Sequence, residues 1–133
     1  MIVLDEQLLG RGLEAEIGAW YRGSVCFIHE LRPHTVVKDD VIPALLRLPR
    51  QPTFVTINDH DFWRKVEADA RFCMVCFDFS DSEVRQIPPT LKRLLRHPKF
   101  KTKAQRMGCV IRYTHVSVSY YTRRDRTVRT VVL

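Results

Sequence analysis

Apolar residues recur along the chain in two rhythms. Short, nearly continuous runs occur at 2–5 (IVLD), 24–28 (SVCFI), 53–57 (TFVTI) and 71–79 (RFCMVCFDF), and each reads as a strand, the last as a buried one. Between them the spacing becomes helical. Leu8, Leu9, Leu13, Ile17 and Trp20 lie at helical intervals over 7–20, although Gly10, Gly12 and Gly18 weaken that helix. A turn at Gly23 leads into the second strand. After a loop through Arg32, Pro33 and His34, KDDVIPALLRL (38–48) predicts a helix. It should begin at Asp39–Asp40, because Pro43 is tolerated only in a first turn, and Pro49 and Pro52 close it. DHDFWRKVEADA (59–70) predicts a helix capped by Asp59 or Asp61. SDSEVRQI and PPTLKRLLRHP predict two short helices. GCVIRYTHVSVSYYT (108–122) reads as one long strand, with 126–133 returning beside it through a turn at Arg123, Arg124 and Asp125.

Strand and helix alternate from residue 2 to residue 79, which predicts an α/β fold with a mainly parallel central sheet flanked by helices. The C-terminal hairpin is an antiparallel addition. No repeat or linker divides the 133 residues, so one domain is expected, with an α/β core over 1–80 and a basic helical segment and hairpin over 81–133. In an open parallel sheet, function concentrates at the carboxyl ends of the strands. Asp5 ends the first strand. Asn58, Asp59 and Asp61 follow the third, Asp78 is near the end of the fourth, and Asp39 and Asp40 open the helix before the third. One topology can therefore collect Asp5, Asp39 or Asp40, and Asp59 or Asp61 at one edge. Carboxylates so crowded raise one another's pKa unless a cation intervenes, and Mg²⁺ or Mn²⁺ suits an all-oxygen donor set. Taken singly, each Asp reads more simply as a helix cap or a solvated loop acid, and it is their joint placement at strand ends that points to a metal.

Charge sharpens the picture. Residues 1–70 carry −3 and residues 71–133 carry +10 of the net +7. An acidic half joined to a basic half suits a cation site beside a surface that attracts a polyanion. Lys92, Arg93, Arg96, Lys99, Lys101, Lys103 and Arg106 form a dense cationic run. Arg112, Arg123, Arg124, Arg126 and Arg129 lie among Tyr113, Tyr120 and Tyr121, residues suited to phosphates and stacked bases. The plainer reading is a solvated helix face and an ordinary hairpin. Cys73 and Cys76 have metal or redox spacing, but they sit in a strand and no second ligand pair completes a zinc site, so they read as core thiols. No apolar run approaches a membrane span, and Asp5 and Glu6 come too early for a signal peptide, so no membrane partner and a cytoplasmic location are expected.

Three segments, taken in order, resemble the PIN-domain superfamily of metal-dependent ribonucleases, and look closest to its small toxin–antitoxin type. They are IVLDE with Asp5 and Glu6, KDDVI with Asp39, Asp40 and Ile42, and Thr56-Ile57-Asn58-Asp59-His60-Asp61-Phe62. The resemblance covers about residues 2–80. It implies a PIN-like fold and an acidic Mg²⁺ or Mn²⁺ site that cleaves RNA phosphodiesters. Asp5, Asp39, Asp40, Asp59 and Asp61 are then the catalytic candidates, with Asp5, Asp39 and Asp61 as metal ligands. Thr56 and Asn58 support them, Asn58 standing where many relatives have Asp. RNA is the implied substrate, a protein antitoxin the implied partner, and a homodimer is allowed. The rival expectation is a binding module for nucleic acid or protein that keeps the fold without catalysis. A Mn²⁺ ion bound between Asp5 and Asp61 would separate the two.

Overall fold

The computed structural model describes residues 1–115 and 117–133. Seven strands form one sheet: β1 (Ile2–Leu4), β2 (Val25–Phe27), β3 (Thr53–Thr56), β4 (Cys73–Phe77), β5 (Cys109–Tyr113), β6 (Val118–Thr122) and β7 (Arg129–Val131). Their order is β2-β1-β3-β4-β5-β6-β7. The first five run parallel and the last two pairings are antiparallel, so the expected α/β sheet with a C-terminal antiparallel addition is present. The chain steps from β1 out to β2, then returns across β1 to β3. The sheet therefore reverses direction between β1 and β3, which is where a doubly wound sheet opens a crevice at its carboxyl edge.

Alternation along each strand feeds two apolar layers. Ile2, Leu4, Val55, Val75, Phe77 and Ile111 face helices α1 (Leu13–Gly18) and α4 (Ile87–Arg96), meeting Leu13, Ile17, Ile87, Leu91 and Leu94. Val3, Phe54, Met74, Cys76 and Val110 face the other way, onto Ile28, α2 (Ile42–Leu46) and Phe62 of α3 (Asp59–Phe62). This double cover explains why β1, β2 and β4 are apolar throughout. It also sends Cys73 and Cys76 to opposite layers, where burial pushes both thiols up.

Several elements differ from the periodicity. The helix expected over 7–20 is a 3₁₀ turn at Glu6–Leu8 followed by α1; Gly10 and Gly12 between them adopt φ of +76° and +72°, which a helix cannot contain. The helix expected over 38–48 begins as a 3₁₀ turn at Asp39–Val41 and continues as α2 with Pro43 in its first turn. The helix expected over 59–70 is the single turn α3. Beyond it Trp63 is extended and Arg64 has φ of +61°. Trp63 then packs on Tyr121, with ring centroids 5.3 Å apart, and the Tyr121 hydroxyl donates to the Val66 carbonyl. The strand expected over 108–122 is two strands, β5 and β6, joined through 114–117; Val116 lies outside the described residues. The 126–133 segment contributes β7, beside β6.

Asp69 fastens the irregular segment before β4. Its carboxylate accepts from Arg47 at 2.9 Å, and from both the backbone N–H (2.8 Å) and the guanidinium of Arg71. The Arg71 contacts, chiefly, hold its pKa down at about 2. A lowered carboxyl pKa stabilises the fold above its ordinary value of 3.8, and the contribution disappears as pH falls through about 2. Asp69→Ala is expected to lose about 1 kcal/mol in urea unfolding at pH 7. The gap between variant and wild type should close as the measurement is moved toward pH 2.

Candidate metal centre at the carboxyl edge of the sheet

Asp5 follows β1 directly. Leu4 is in register with Val55, and the Asp5 N–H continues the ladder to the Val55 carbonyl at 3.0 Å. This register sets Asp5 beside Thr56, the last residue of β3, at the reversal point of the sheet. The Asp5 carboxyl is only 5% exposed, and its Oδ2 accepts the Thr56 hydroxyl at 2.7 Å. Thr56 is itself fully buried, and its Oγ1 accepts the Asn58 backbone N–H at 2.9 Å. Burial raises the Asp5 pKa most. The Thr56 hydroxyl opposes that rise and the nearby Asp39 charge adds to it.

Asn58 precedes α3 as its N-cap, yet its side chain makes no capping bond. Its Nδ2 instead donates at 2.9 Å to Asp39 Oδ2 and at 2.9 Å to Asp61 Oδ2. The capping role expected of Asp59 or Asp61 is thus replaced by a bridge: two amide protons occupy the space between two carboxylates. Asp39 still has a raised pKa, chiefly from burial and then from the Asp61 charge, with the Asn58 bond opposing. The cluster carries a standing electrostatic cost that a cation would relieve.

The structure thus resolves two choices left open along the chain. Asp39 joins the cluster through the Asn58 amide, whereas Asp40 reaches it only as a neighbouring charge on Asp39. Asp61 joins it, whereas Asp59 is drawn off by Arg112, whose Nε donates to Asp59 Oδ1 at 2.8 Å. The same guanidinium lies 3.6 Å from Asp78. Arg112, grouped by sequence with cations for phosphates, is therefore an ion-pair partner at the flank of the cluster. His60, between the two acids in sequence, is exposed.

The oxygen-only donor set and the raised Asp5 and Asp39 pKa values fit a hard divalent cation. The spacing is not yet that of a closed shell: among the described residues no three His, Cys, Asp or Glu side chains converge on one ion position. The Asn58 amide stands between two of the donors, and turning it by 180° would replace N–H donors with the Oδ1 acceptor.

The basic residues lie elsewhere. Arg106, counted by sequence among the surface cations, is only 3% exposed; its guanidinium donates to Thr53 Oγ1 at 2.9 Å and to the Phe100 carbonyl at 3.2 Å. It is a structural arginine at the amino end of β3. Lys92, Arg96, Lys101 and Lys103 line a concavity around it, and Lys99 lies over the Tyr120 ring at 5.7 Å. The Arg123 N–H donates to Gly108, just before β5, and Arg124 follows it. These cations lie toward the amino edge of the sheet, about a strand's length or ~15 Å from the carboxylates. Arg93 is exposed on α4. Among the described residues no helix is long and apolar enough to cross a membrane. Comparison with protein-family models, with curated proteins and with solved structures gave no match, so the geometry alone carries the functional reading.

Proposed function

We propose that the chain is a PIN-like, metal-dependent endoribonuclease whose centre is Asp5 with the Asp39–Asn58–Asp61 cluster. One observation carries this reading: a buried carboxylate, oriented by a buried threonine, lies at the reversal point of a parallel sheet within electrostatic reach of Asp39, which shares the Asn58 amide with Asp61. Asp5, Asp39 and Asp61 would hold Mg²⁺ or Mn²⁺, with Asn58 turned to present its oxygen. The cation, when bound, neutralises phosphodiester charge and acidifies a water. The chain's own residues do the rest. Thr56 commits Asp5 Oδ2 to the protein and so fixes the orientation of the carboxylate. Arg112 holds Asp59 and Asp78, so that two further negative charges at this edge repel an incoming phosphate less. The +10 of residues 71–133 attracts RNA as a polyanion.

The test is cleavage of a mixed single-stranded RNA pool with Mn²⁺ and with chelator. Cleavage is expected only with metal, and Asp39→Asn or Asp61→Asn should each reduce it at least about tenfold through lost metal affinity. Cleavage that persists in chelator and in both variants rejects the centre. Metal binding without cleavage selects the binding module instead. Asn58→Asp gives an independent check. It removes both amide donors and adds a third charge, so the metal-free protein should melt lower. Mn²⁺ should then raise its melting temperature more than it raises that of the wild type.

A further inference from the structure

At the opposite, amino edge of the sheet is a concavity of about 330 Å³ that the carboxylate centre does not use. Trp20 and Tyr21, just beyond α1, form one wall. Lys92 and Arg96 project into it from α4, where positions four apart share a face, and Lys101 and Lys103 close the far side. Buried Arg106 is the floor. No carboxylate lines it, and among the described residues Lys92, Arg96, Lys101 and Lys103 have no acidic partner within 4 Å. By contrast Arg11, Arg47, Arg71, Arg112, Arg126 and Arg129 all have one. Five cations around one hollow repel one another and focus a positive potential into it, an arrangement that an anion relieves.

The aromatic wall is built, not incidental. Trp20 and Tyr21 meet edge to face, with centroids 6.2 Å apart and planes at 78°. Tyr21 is pinned by the Met1 nitrogen, which donates to its hydroxyl at 3.0 Å. It also lies so close to Gly23 that a Cβ there would sit 2.7 Å from the Tyr21 ring. An aromatic wall opposite unpaired cations is the chemistry that takes a base on one side and its phosphate on the other. The volume is near the lower limit for ligand pockets, which suits one nucleotide and not a strand.

We propose that this concavity binds a single nucleoside monophosphate unit, with the base on Trp20 and Tyr21 and the phosphate on Lys92, Arg96, Lys101 and Lys103. The unit is either a free nucleotide or the 5′-phosphorylated end of an RNA. The proposal does not depend on the carboxylate centre, and its test is run in chelator so that the two stand or fall separately. Trp63→Phe leaves Trp20 as the sole tryptophan, and its fluorescence is followed while AMP, adenosine, inorganic phosphate or tetra-adenylate with and without a 5′-phosphate is added. Calorimetry on the unaltered protein repeats each titration without relying on the Trp63 change. AMP should quench saturably. Adenosine and phosphate should each bind at least tenfold more weakly. The exposed double substitution Lys101→Glu/Lys103→Glu should weaken AMP at least tenfold, and Asp39→Asn should leave it unchanged. A phosphorylated tetramer binding tighter than AMP identifies an RNA end as the natural occupant; equal or weaker binding identifies the free nucleotide. Absence of saturable AMP binding, indifference to the double substitution, or equal binding of both tetramers with AMP inactive overturns the assignment.

Discussion

Asp5→Asn is expected to abolish Mn²⁺-dependent cleavage and, in the same protein, to raise the stability of the metal-free fold. The two effects share one cause. Asp5 is buried, and burial lifts its pKa above the ordinary 3.8. A carboxyl whose folded pKa is raised contributes its full share of stability below 3.8. It loses that share as pH rises through the folded value, because the native state then carries a charge it solvates poorly. Asparagine stays neutral throughout, and its Oδ1 can still accept the Thr56 hydroxyl. Unfolding in urea with chelator, between pH 4 and pH 8, should show a decline for wild type that the variant lacks. The variant should lead by on the order of 1 kcal/mol at pH 7. With Mn²⁺ the order should reverse, since only the wild type gains from the ion. Cleavage should fall by about 100-fold or more, the scale for losing a group that acts directly on transition-state charge. A variant that is less stable than wild type in chelator at pH 7, yet still cleaves RNA, would show that Asp5 is a structural carboxylate.

Arg106→Ala should give the largest loss of stability among the changes considered. The guanidinium is buried without a carboxylate and is held by neutral acceptors: the Thr53 hydroxyl, the Phe100 carbonyl and, at 3.4 Å, the Lys101 carbonyl. Those bonds tie the first residue of β3 to the segment that leads into α5 (Lys103–Arg106). Removing the side chain strands these acceptors and leaves a void in place of its stem, for an expected loss of about 3 kcal/mol at pH 7. Arg106→Met refills the volume without donors and should recover part of that loss; Arg106→Lys keeps the charge but not the fork, and should also recover only part. Urea midpoints of the three variants decide the matter. A loss under about 0.5 kcal/mol for the alanine variant would place Arg106 with the ordinary surface cations, where sequence had grouped it.

Much of the core was legible because burial on both faces leaves a direct trace in composition. IVL, VCF, TFVT and CMVCF are apolar or small throughout, and all four became parallel strands, three of them interior and VCF at the sheet edge. The acids were legible as strand-end residues for the same reason: the first charge after such a run must emerge at the sheet edge. Periodicity failed where distant contacts overrode local preference. Residues 63–70 have good helix formers, but Trp63 finds Tyr121 and the Tyr121 hydroxyl finds Val66, and the chain leaves the helix after one turn to meet them. The 108–122 run is β-rich throughout, and nothing in its apolar spacing marked the break between Tyr113 and Val118 that divides it.

The chain's own order of residues determined that there is a doubly covered parallel sheet, that its acids leave at strand ends, and that negative charge precedes positive. These follow from period, propensity and composition, which are local properties. Three-dimensional packing alone decided that Asp39 and not Asp40, and Asp61 and not Asp59, share the Asn58 amide. It also decided that Arg106 is interior and that the lysines around it gather with Trp20 at the edge opposite the carboxylates. Strand order and register set those distances, and a hydrogen bond or ion pair depends on separations of a few ångströms between side chains that can lie fifty residues apart.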